Sequence, residues 1–231
     1  MRIVTIYPDL LGTYGDRGNG LVLARRAALR GLDVELLESS SDEPLPDAAI
    51  YCLGGGEDGP QQLAVERLER DGGLVRALGR GAVVLAVCAG LQILGRSFPG
   101  PHGERVEGLG LLGIDTVASA EPRAVGEVLV EAGDGLGTLT GFENHAGRTV
   151  LDEGVRALGA VALGVGNGDG RDGIISGTIL GTYLHGPVLA RNPVLADHLL
   201  ASALGAAAPG AVPRGPAEVL HDERVEAARR R

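Results

Sequence analysis

A cysteine at the end of an apolar run is the residue of this chain best placed to do chemistry. Cys88 follows the buried-type residues 82–87 and precedes Ala89-Gly90 and a segment with helical spacing. This order predicts a strand, a sharp turn and a helix, with the thiol at the turn. Backbone N–H groups at a helix N-terminus lower the pKa of a thiol and stabilise an oxyanion. The pattern favours a nucleophile for acyl transfer, and a buried structural cysteine is the alternative.

A thiolate nucleophile needs a base, and the chain has five histidines. His185 ends the strand-like run 177–185, which predicts a position at the same sheet edge as Cys88 if that strand is parallel to its neighbours. His145 is the competing candidate, and with Asn144 it belongs to a candidate binding loop. The non-catalytic interpretation is a histidine whose ring is satisfied by backbone groups.

Three consecutive glycines, residues 54–56, close another strand-like run. Such a turn offers backbone N–H groups to a phosphate or to an oxyanion, and a plain tight turn is the third interpretation. These glycines and Gly59 formally match the G-x-G-x-x-G pattern of dinucleotide sites. The acidic pair Glu57-Asp58 is unfavourable beside a pyrophosphate, so the match is weak support for a dinucleotide.

Composition excludes several classes of function. The chain has 231 residues with 44% hydrophobic content, which is enough for one core, and its formal charge of −9 disfavours nucleic-acid binding. All 21 basic residues are arginine, so neither a lysine Schiff base nor a P-loop can form. The amino-terminal residues read as a strand without a signal peptide, and no apolar run is long enough for a membrane span. We therefore expect a cytoplasmic protein with reduced thiols.

The elements that must position these residues follow an α/β pattern. Strand-like runs alternate with helical spacing over residues 1–95, with one helix predicted over 61–78, and this alternation predicts a mostly parallel central sheet with helices on both faces. Residues 109–184 contain short β-type runs separated by glycines, the last of them a single strand predicted over 174–180, so the second half is predicted to be strand-rich. Ligands bind at the carboxyl ends of parallel strands, which are followed here by the turns after residues 7, 53 and 87.

The chain is predicted to form one domain over residues 1–204, ending in a helix over 192–204. Residues 205–216 are mostly Ala, Gly and Pro, which is typical of a connection. Residues 217–228 are predicted to form a short terminal helix, so 205–231 is interpreted as a connection and a short tail.

Several segments, in order along the chain, resemble class I glutamine amidotransferases. Residues 88–95 resemble their nucleophile elbow, residues 54–56 their oxyanion strand, and residues 183–186 the histidine segment of the cobyric-acid-synthase-like branch. Segments 14–19, 141–149 and 181–187 are similar to the glutaminase subunits of lipid II isoglutaminyl synthases. The resemblance implies a flavodoxin-like α/β fold.

The resemblance also implies a reaction. Cys88 would attack the side-chain amide of L-glutamine and form a thioester, with His185 as general base and acid. Backbone N–H groups near Gly55 and Ala89 would hold the oxyanion. Arg123 resembles the arginine of this family that binds glutamine. A guanidinium suits the α-carboxylate of glutamine because it can pair with it bidentately. A solvated loop arginine is the alternative. Gln92 lies one helical turn after Cys88 and is a candidate pocket residue, with Asn144 and His145.

A partner protein is the next implication of the resemblance. Ammonia would pass to a Mur-ligase-like, ATP-dependent subunit in a heterodimer, which would amidate D-glutamate to D-isoglutamine in lipid II during peptidoglycan synthesis. ATP and magnesium would bind to that partner, with no cofactor or metal in this chain. The lipid substrate would bring the complex to the inner face of the membrane. Another acceptor such as cobyrinate is the alternative, and a non-catalytic regulatory subunit is the alternative of a different class.

The chain departs from the family pattern after the histidine. Many class I members have x-Glu there, whereas Pro187 occupies the position of the acid in this chain. A histidine base needs a group that fixes its tautomer and stabilises the imidazolium. We therefore expect a partner chain to supply or order that group, and the isolated chain to be a poor glutaminase.

Overall fold

The structure is a computed structural model that describes residues 1–205, 210 and 212–230. Its centre is a six-stranded sheet whose strands, in spatial order, are β2 (Glu35–Ser39), β1 (Arg2–Ile6), β3 (Ile50–Leu53), β4 (Val83–Val87), β14 (Ile179–Thr182) and β13 (Ile174–Ser176). The strands from β2 to β14 are parallel, and β13 pairs antiparallel with β14. Every residue of β3 and β4 is buried, as expected for strands covered on both faces. The predicted mostly parallel α/β sheet is confirmed.

Seven helices accompany the strands in the described residues: α1 (Gly18–Ala28), α2 (Asp58–Asp71), α3 (Gly73–Gly79), α4 (Ala89–Leu94), α5 (Val188–Arg191), α6 (Pro193–Leu204) and α7 (Pro216–Arg229). From β1 the chain runs through α1 to β2 on one side, and from β3 it runs through α2 to β4 in the opposite direction across the sheet. Right-handed crossovers therefore place α1 and α2 on opposite faces. The helix predicted over 61–78 is two helices, because Gly72 adopts a left-handed φ of 62° that ends α2. The helix predicted over 192–204 is confirmed as α6, with Pro193 in its first turn.

The second half of the chain adds two smaller sheets, which confirms the prediction of a strand-rich region. One has the order β10 (Arg148–Leu151), β7 (Ile114–Val117), β5 (Ser97–Pro99) and β6 (Arg105–Glu107). The other has the order β12 (Arg171–Asp172), β11 (Gly159–Leu163), β8 (Ala124–Ala132) and β9 (Gly137–His145). The single strand predicted over 174–180 is instead the hairpin β13–β14, which turns at Gly177 with a φ of 57°.

The carboxyl-terminal helix packs against the body of the protein. α7 contacts α5, α6, β8 and β9, and it confirms the terminal helix predicted over 217–228. Arg26 of α1 is 7% exposed and pairs with Asp197 of α6 at 2.6 Å and Glu218 of α7 at 3.0 Å. Residues 206–209 and 211 of the predicted connection, and residue 231, lie outside the described residues.

Candidate active site

The sharp turn predicted at Cys88 joins β4 directly to α4. Cys88 has a φ of 54° and a ψ of −107°, a conformation that residues with a Cβ rarely adopt and that is typical of a functional site. Its backbone N–H donates to the carbonyl of Thr182 at 2.9 Å, which fixes the turn to the end of β14. A Cβ on Gly90 would lie 2.7 Å from the Cβ of Leu53, so glycine is needed for α4 to pack on β3.

A cavity of about 210 Å³ opens beside Cys88. It brings together most of the residues that the sequence singled out, namely Cys88, Ala89, Gln92, Arg123, Asn144 and His145. Gly56, Asp58 and Gln61 also line it. The cavity therefore lies at the carboxyl edge of the parallel sheet, where the sequence predicted a ligand site.

His185 lies at the same sheet edge as Cys88. β14 is parallel to β4, with Thr182 opposite Val87, so both side chains follow the carboxyl ends of neighbouring strands. Two backbone hydrogen bonds with Phe142, of 2.8 and 3.0 Å, attach His185 to β9. Burial alone would lower the pKa of His185, but its interactions with Asp16 and Cys88 outweigh burial and raise that pKa to about 10. The imidazole thus bonds a carboxylate through Nδ1, and among the described residues its buried Nε2 has no hydrogen-bond partner at the sheet edge that holds the thiol.

The carboxylate that accompanies His185 belongs to this chain. Oδ2 of Asp16 lies 2.9 Å from Nδ1 of His185, and Asp16 is 2% exposed. Asp16 is therefore the candidate acid within this chain, and the expectation that a partner chain supplies or orders that group stays a prediction. Asp16 precedes α1 in the turn after β1, which the sequence had placed at this edge without assigning a role to the residue. Pro187 instead packs on α1, since a Cβ on Gly18 would lie 2.4 Å from the Pro187 Cγ.

The expected oxyanion donors differ in their surroundings. The N–H of Gly55 donates to Oδ2 of Asp16 at 2.9 Å, so the expectation that it faces an oxyanion is wrong. Gly55 is required for another reason, because a Cβ there would lie 2.6 Å from Cε1 of His185. Ala89 lines the cavity and is the first residue of α4, where a backbone N–H has no partner within the helix. Gly56, the next residue after Gly55, also lines the cavity.

Arg123 is held at the wall of the cavity by residues from separate parts of the chain. Its Nε donates to Oδ1 of Asn144 at 2.6 Å and its Nη2 to the backbone carbonyl of the same residue at 3.2 Å. Nη2 also donates to the hydroxyl of Tyr14 at 3.4 Å. Asn144 therefore orients the guanidinium, and Arg123 presents a fixed cation to the cavity.

His145 has both ring nitrogens engaged within the protein. Nδ1 lies 3.0 Å from the carbonyl of Gly147, and Nε2 lies 3.3 Å from Oε2 of Glu143. Glu143 also accepts hydrogen bonds from the backbone N–H groups of Val165 and Gly166. These contacts give His145 a place in the cavity wall and favour His185 as the base.

Gln92 belongs to a buried polar network beneath the cavity. Its Oε1 accepts from Nε2 of Gln61 at 3.0 Å, and its Nε2 donates to the hydroxyl of Tyr183 at 3.1 Å. The Tyr183 ring stacks on His145 with ring centroids 3.9 Å apart. Because both ends of its amide are bonded, Gln92 is held rigidly in the cavity wall.

Comparison with known proteins identifies the family. Residues 2–193 match the CobB/CobQ-like glutamine amidotransferase domain. The chain belongs to this family. It is a glutamine amidotransferase, and the prediction of a glutamine-hydrolysing enzyme is confirmed.

Two curated relatives of this amidotransferase match most of its length. Subunit GatD of lipid II isoglutaminyl synthase (glutamine-hydrolyzing) from Staphylococcus aureus (strain N315) is 37% identical over 235 residues, covering 98% of this chain and 94% of the relative. The protein of the same name from Streptococcus pneumoniae (strain ATCC BAA-255 / R6) is 36% identical over 211 residues, covering 88% and 80%. The resemblance to these glutaminase subunits is therefore confirmed.

A solved structure shares the fold. A glutamine amidotransferase from Thermotoga maritima gives a TM-score of 0.54 at 15% identity, covering 99% of this chain and 92% of that one. At this identity the likeness shows the α/β amidotransferase fold alone.

The sequence predicted neither a metal site nor a membrane-spanning segment in this chain. Within the described part of the chain, His, Cys, Asp and Glu residues form no group suited to hold a metal ion. No helix of residues 1–205 or 212–230 has the length and apolar character needed to cross a bilayer. That the amidotransferase uses no cofactor stays a prediction.

Proposed function

We propose that this amidotransferase hydrolyses L-glutamine through a thioester on Cys88. The observation that carries the proposal is the placement of Cys88 and His185 at one sheet edge, with Nδ1 of His185 bonded to Asp16 and its Nε2 buried without a hydrogen-bond partner among the described residues. A thiol, an imidazole and a buried carboxylate in that order have the arrangement of a nucleophile, a base and an orienting acid.

The reaction follows from these roles. His185 accepts the proton of the thiol, and the thiolate attacks the side-chain amide carbon of glutamine. The tetrahedral intermediate expels ammonia, which takes its third proton from the His185 imidazolium, and leaves a glutamyl thioester on Cys88. Water then attacks the thioester, with His185 as general base, and glutamate and the free thiol are released. Asp16 stabilises the imidazolium and holds the proton on Nδ1.

Two further groups support glutamine as the substrate. The N–H groups of Ala89 and Gly56 are the donors that we propose for the oxyanion, because both residues line the cavity. Arg123 is the proposed partner of the glutamine α-carboxylate. Its fixed guanidinium lies in the same cavity as the nucleophile and suits a bidentate pair.

We further propose that the ammonia serves a second protein. The relatives from S. aureus and S. pneumoniae are named as subunits of lipid II isoglutaminyl synthase and match most of this chain. The proposed partner is a Mur-ligase-like subunit that binds ATP and magnesium and amidates D-glutamate in lipid II, working at the inner face of the membrane. The absence of lysine from the chain agrees with ATP chemistry on a separate protein.

Glutamine hydrolysis by a matched pair of cysteine variants tests the chemical proposal. Cys88→Ser is expected to reduce the rate of glutamate release by about 10³-fold or more, because a serine hydroxyl is a far weaker nucleophile beside the same base. Cys52→Ser is the control, because Cys52 is buried in β3 and burial raises the pKa of its thiol to about 12. It is expected to keep the parent rate. Parent-like hydrolysis by Cys88→Ser would exclude the thioester mechanism.

A further inference from the structure

Tyr14 lies between the two halves of the candidate active site. Its ring contacts the imidazole of His185, with centroids 4.7 Å apart and ring planes at 51°. Its hydroxyl accepts a hydrogen bond from Nη2 of Arg123 at 3.4 Å and donates one to Oε1 of Glu57 at 3.3 Å. One side chain therefore contacts both the base of the proposed reaction and the cation of the substrate cavity.

The local backbone explains how Tyr14 reaches both groups. Tyr14 and Asp16 are two residues apart in the turn after β1, and Gly15 between them has a φ of 78° that a residue with a Cβ rarely adopts. Asp16 binds the imidazole through Nδ1, while the Tyr14 ring covers the imidazole itself. A Cβ on Gly55 would lie 2.6 Å from Cε1 of His185 and 3.0 Å from Cδ2 of Tyr14. The two rings and the Gly55 backbone are thus packed without spare space.

The hydroxyl of Tyr14 is suited to join two charged groups. Burial, and next the negative charge of Glu57, raise the pKa of Tyr14, so the phenol keeps its proton. A protonated hydroxyl donates to the Glu57 carboxylate and leaves its lone pairs for the Arg123 guanidinium. Glu57 therefore bonds the Tyr14 hydroxyl, which bonds Arg123, while Asn144 bonds Arg123 directly. These hydrogen bonds keep the guanidinium in one orientation.

We propose that Tyr14 is a positioning residue that aligns the substrate-binding Arg123 with the Cys88–His185 pair. Its hydroxyl fixes the guanidinium, and its ring holds the imidazole in place for the thiol. This inference rests on the proposed glutamine hydrolysis. It goes beyond that function because it assigns two roles to one side chain. The hydroxyl acts on glutamine binding, and the ring acts on the chemical step.

Two substitutions separate these roles. Tyr14→Phe keeps the ring and removes the hydroxyl, so KM for glutamine is expected to rise about 3- to 10-fold, the effect of one hydrogen bond, while kcat changes less than about 2-fold. Tyr14→Leu also removes the ring, so kcat is expected to fall by about 10-fold or more, because a loosened base misaligns the reacting atoms. Calorimetric binding of L-glutamine in the Cys88→Ser background gives an affinity that is independent of turnover and is expected to follow KM.

A double-mutant cycle tests the route through Arg123. In an Arg123→Ala background, Tyr14→Phe is expected to leave KM unchanged, because the group that its hydroxyl orients is gone. Tyr51→Phe is the matched control. Its hydroxyl bonds the backbone of Pro46 at 2.8 Å and of Ala48 at 2.9 Å, so that variant is expected to keep both kinetic constants.

The outcomes distinguish this inference from the function on which it rests. A parent protein that releases no glutamate from glutamine would overturn the proposed function itself. If the parent is active, an unchanged KM in Tyr14→Phe, or the same rise of KM in the Arg123→Ala background, overturns the role of Tyr14. A loss of kcat in Tyr14→Phe as large as that in Tyr14→Leu also overturns it, because the hydroxyl and the ring would then have no separate effects.

Discussion

Asp16 shows how much one buried carboxylate contributes to the candidate site. It accepts from His185 and from the Gly55 N–H, each at 2.9 Å, so it holds the proposed base and the glycine turn after β3 together. Asp16→Asn is expected to reduce kcat for glutamine hydrolysis by about 10²- to 10⁴-fold, because the amide favours the wrong imidazole tautomer and no longer stabilises the imidazolium. Steady-state kinetics measure this change. Asp169→Asn, which removes an exposed partner of Arg171, is the control, and equal rates for the two variants would exclude Asp16 as the acid.

The raised pKa of His185 has a consequence for stability as a function of pH. That pKa is about 10 in the folded protein, against an ordinary value of 6.5, so the folded state binds the proton more tightly. The stabilisation is fully present below pH 6.5 and is lost as pH rises through 10. Urea unfolding across this window is expected to show a falling free energy of unfolding for the parent. His185→Gln should lack this part of the fall, and parallel pH curves for the two proteins would contradict the assignment.

The residues of the proposed catalytic set differ in how far the sequence could predict them. Cys88 has a local signature of strand, small-residue turn and helix, and His185 follows a strand, so both were predicted from their neighbours. Asp16 contacts a residue 169 positions away, and its own neighbours are those of an ordinary polar loop. The oxyanion prediction for Gly55 failed for the same reason, since its N–H is used by that distant carboxylate.

The elbow element depends on close contact between α4 and β3. A Cβ on Gly90 would lie 2.7 Å from the Leu53 Cβ and 2.9 Å from its carbonyl oxygen. Gly90→Ala is therefore expected to destabilise the protein by about 1–3 kcal/mol and to lower kcat, because α4 must move and Cys88 directly precedes it. Thermal unfolding and kinetics measure both effects. Gly79→Ala at the end of α3 meets no atom within 4 Å and should be neutral; if both variants behave alike, the contact does not constrain the elbow.

Element type followed from apolar periodicity, whereas element ends followed from glycine conformations that the periodicity does not show. The run 61–78 has one helical pattern, yet the left-handed Gly72 divides it into α2 and α3. The run 174–180 has one apolar pattern, yet Gly177 turns it into a hairpin. β5, β6, β10 and β12 have two to four residues each, too few for a detectable alternation.

The whole molecule assembles its site from turns that are distant in sequence. The turns after β1, β3, β4 and β14 supply Asp16, Gly55, Cys88 and His185, and parallel strands bring all four to one edge. That convergence was predictable from the fold class. The contacts at that edge were not, because they depend on strand order and register, which a single sequence leaves open. Arg123 and Asn144 reach the edge on the smaller β8–β9 sheet, outside the parallel pattern.

A complete set of proposed catalytic groups in one chain changes the expectation for the isolated protein. The predicted weakness of the isolated chain rested on an acid supplied by a partner, and Asp16 now occupies that place. The purified chain is therefore expected to hydrolyse glutamine unaided. Adding an ATP-dependent Mur-ligase-like partner should raise kcat by less than about tenfold, since a missing acid of a triad costs about 10²- to 10⁴-fold.

The comparison is made by measuring glutamate release by the chain alone, with the partner, and with the partner and ATP. A stimulation of more than about 10²-fold by the partner without ATP would mean that the partner completes the catalytic set after all. Asp16→Asn then separates two explanations. If the partner supplies the acid, the variant and the parent should reach similar rates in the complex. If Asp16 is the acid, the variant should stay slow in every mixture, because an amide in place of the carboxylate at Nδ1 of His185 does not stabilise the imidazolium.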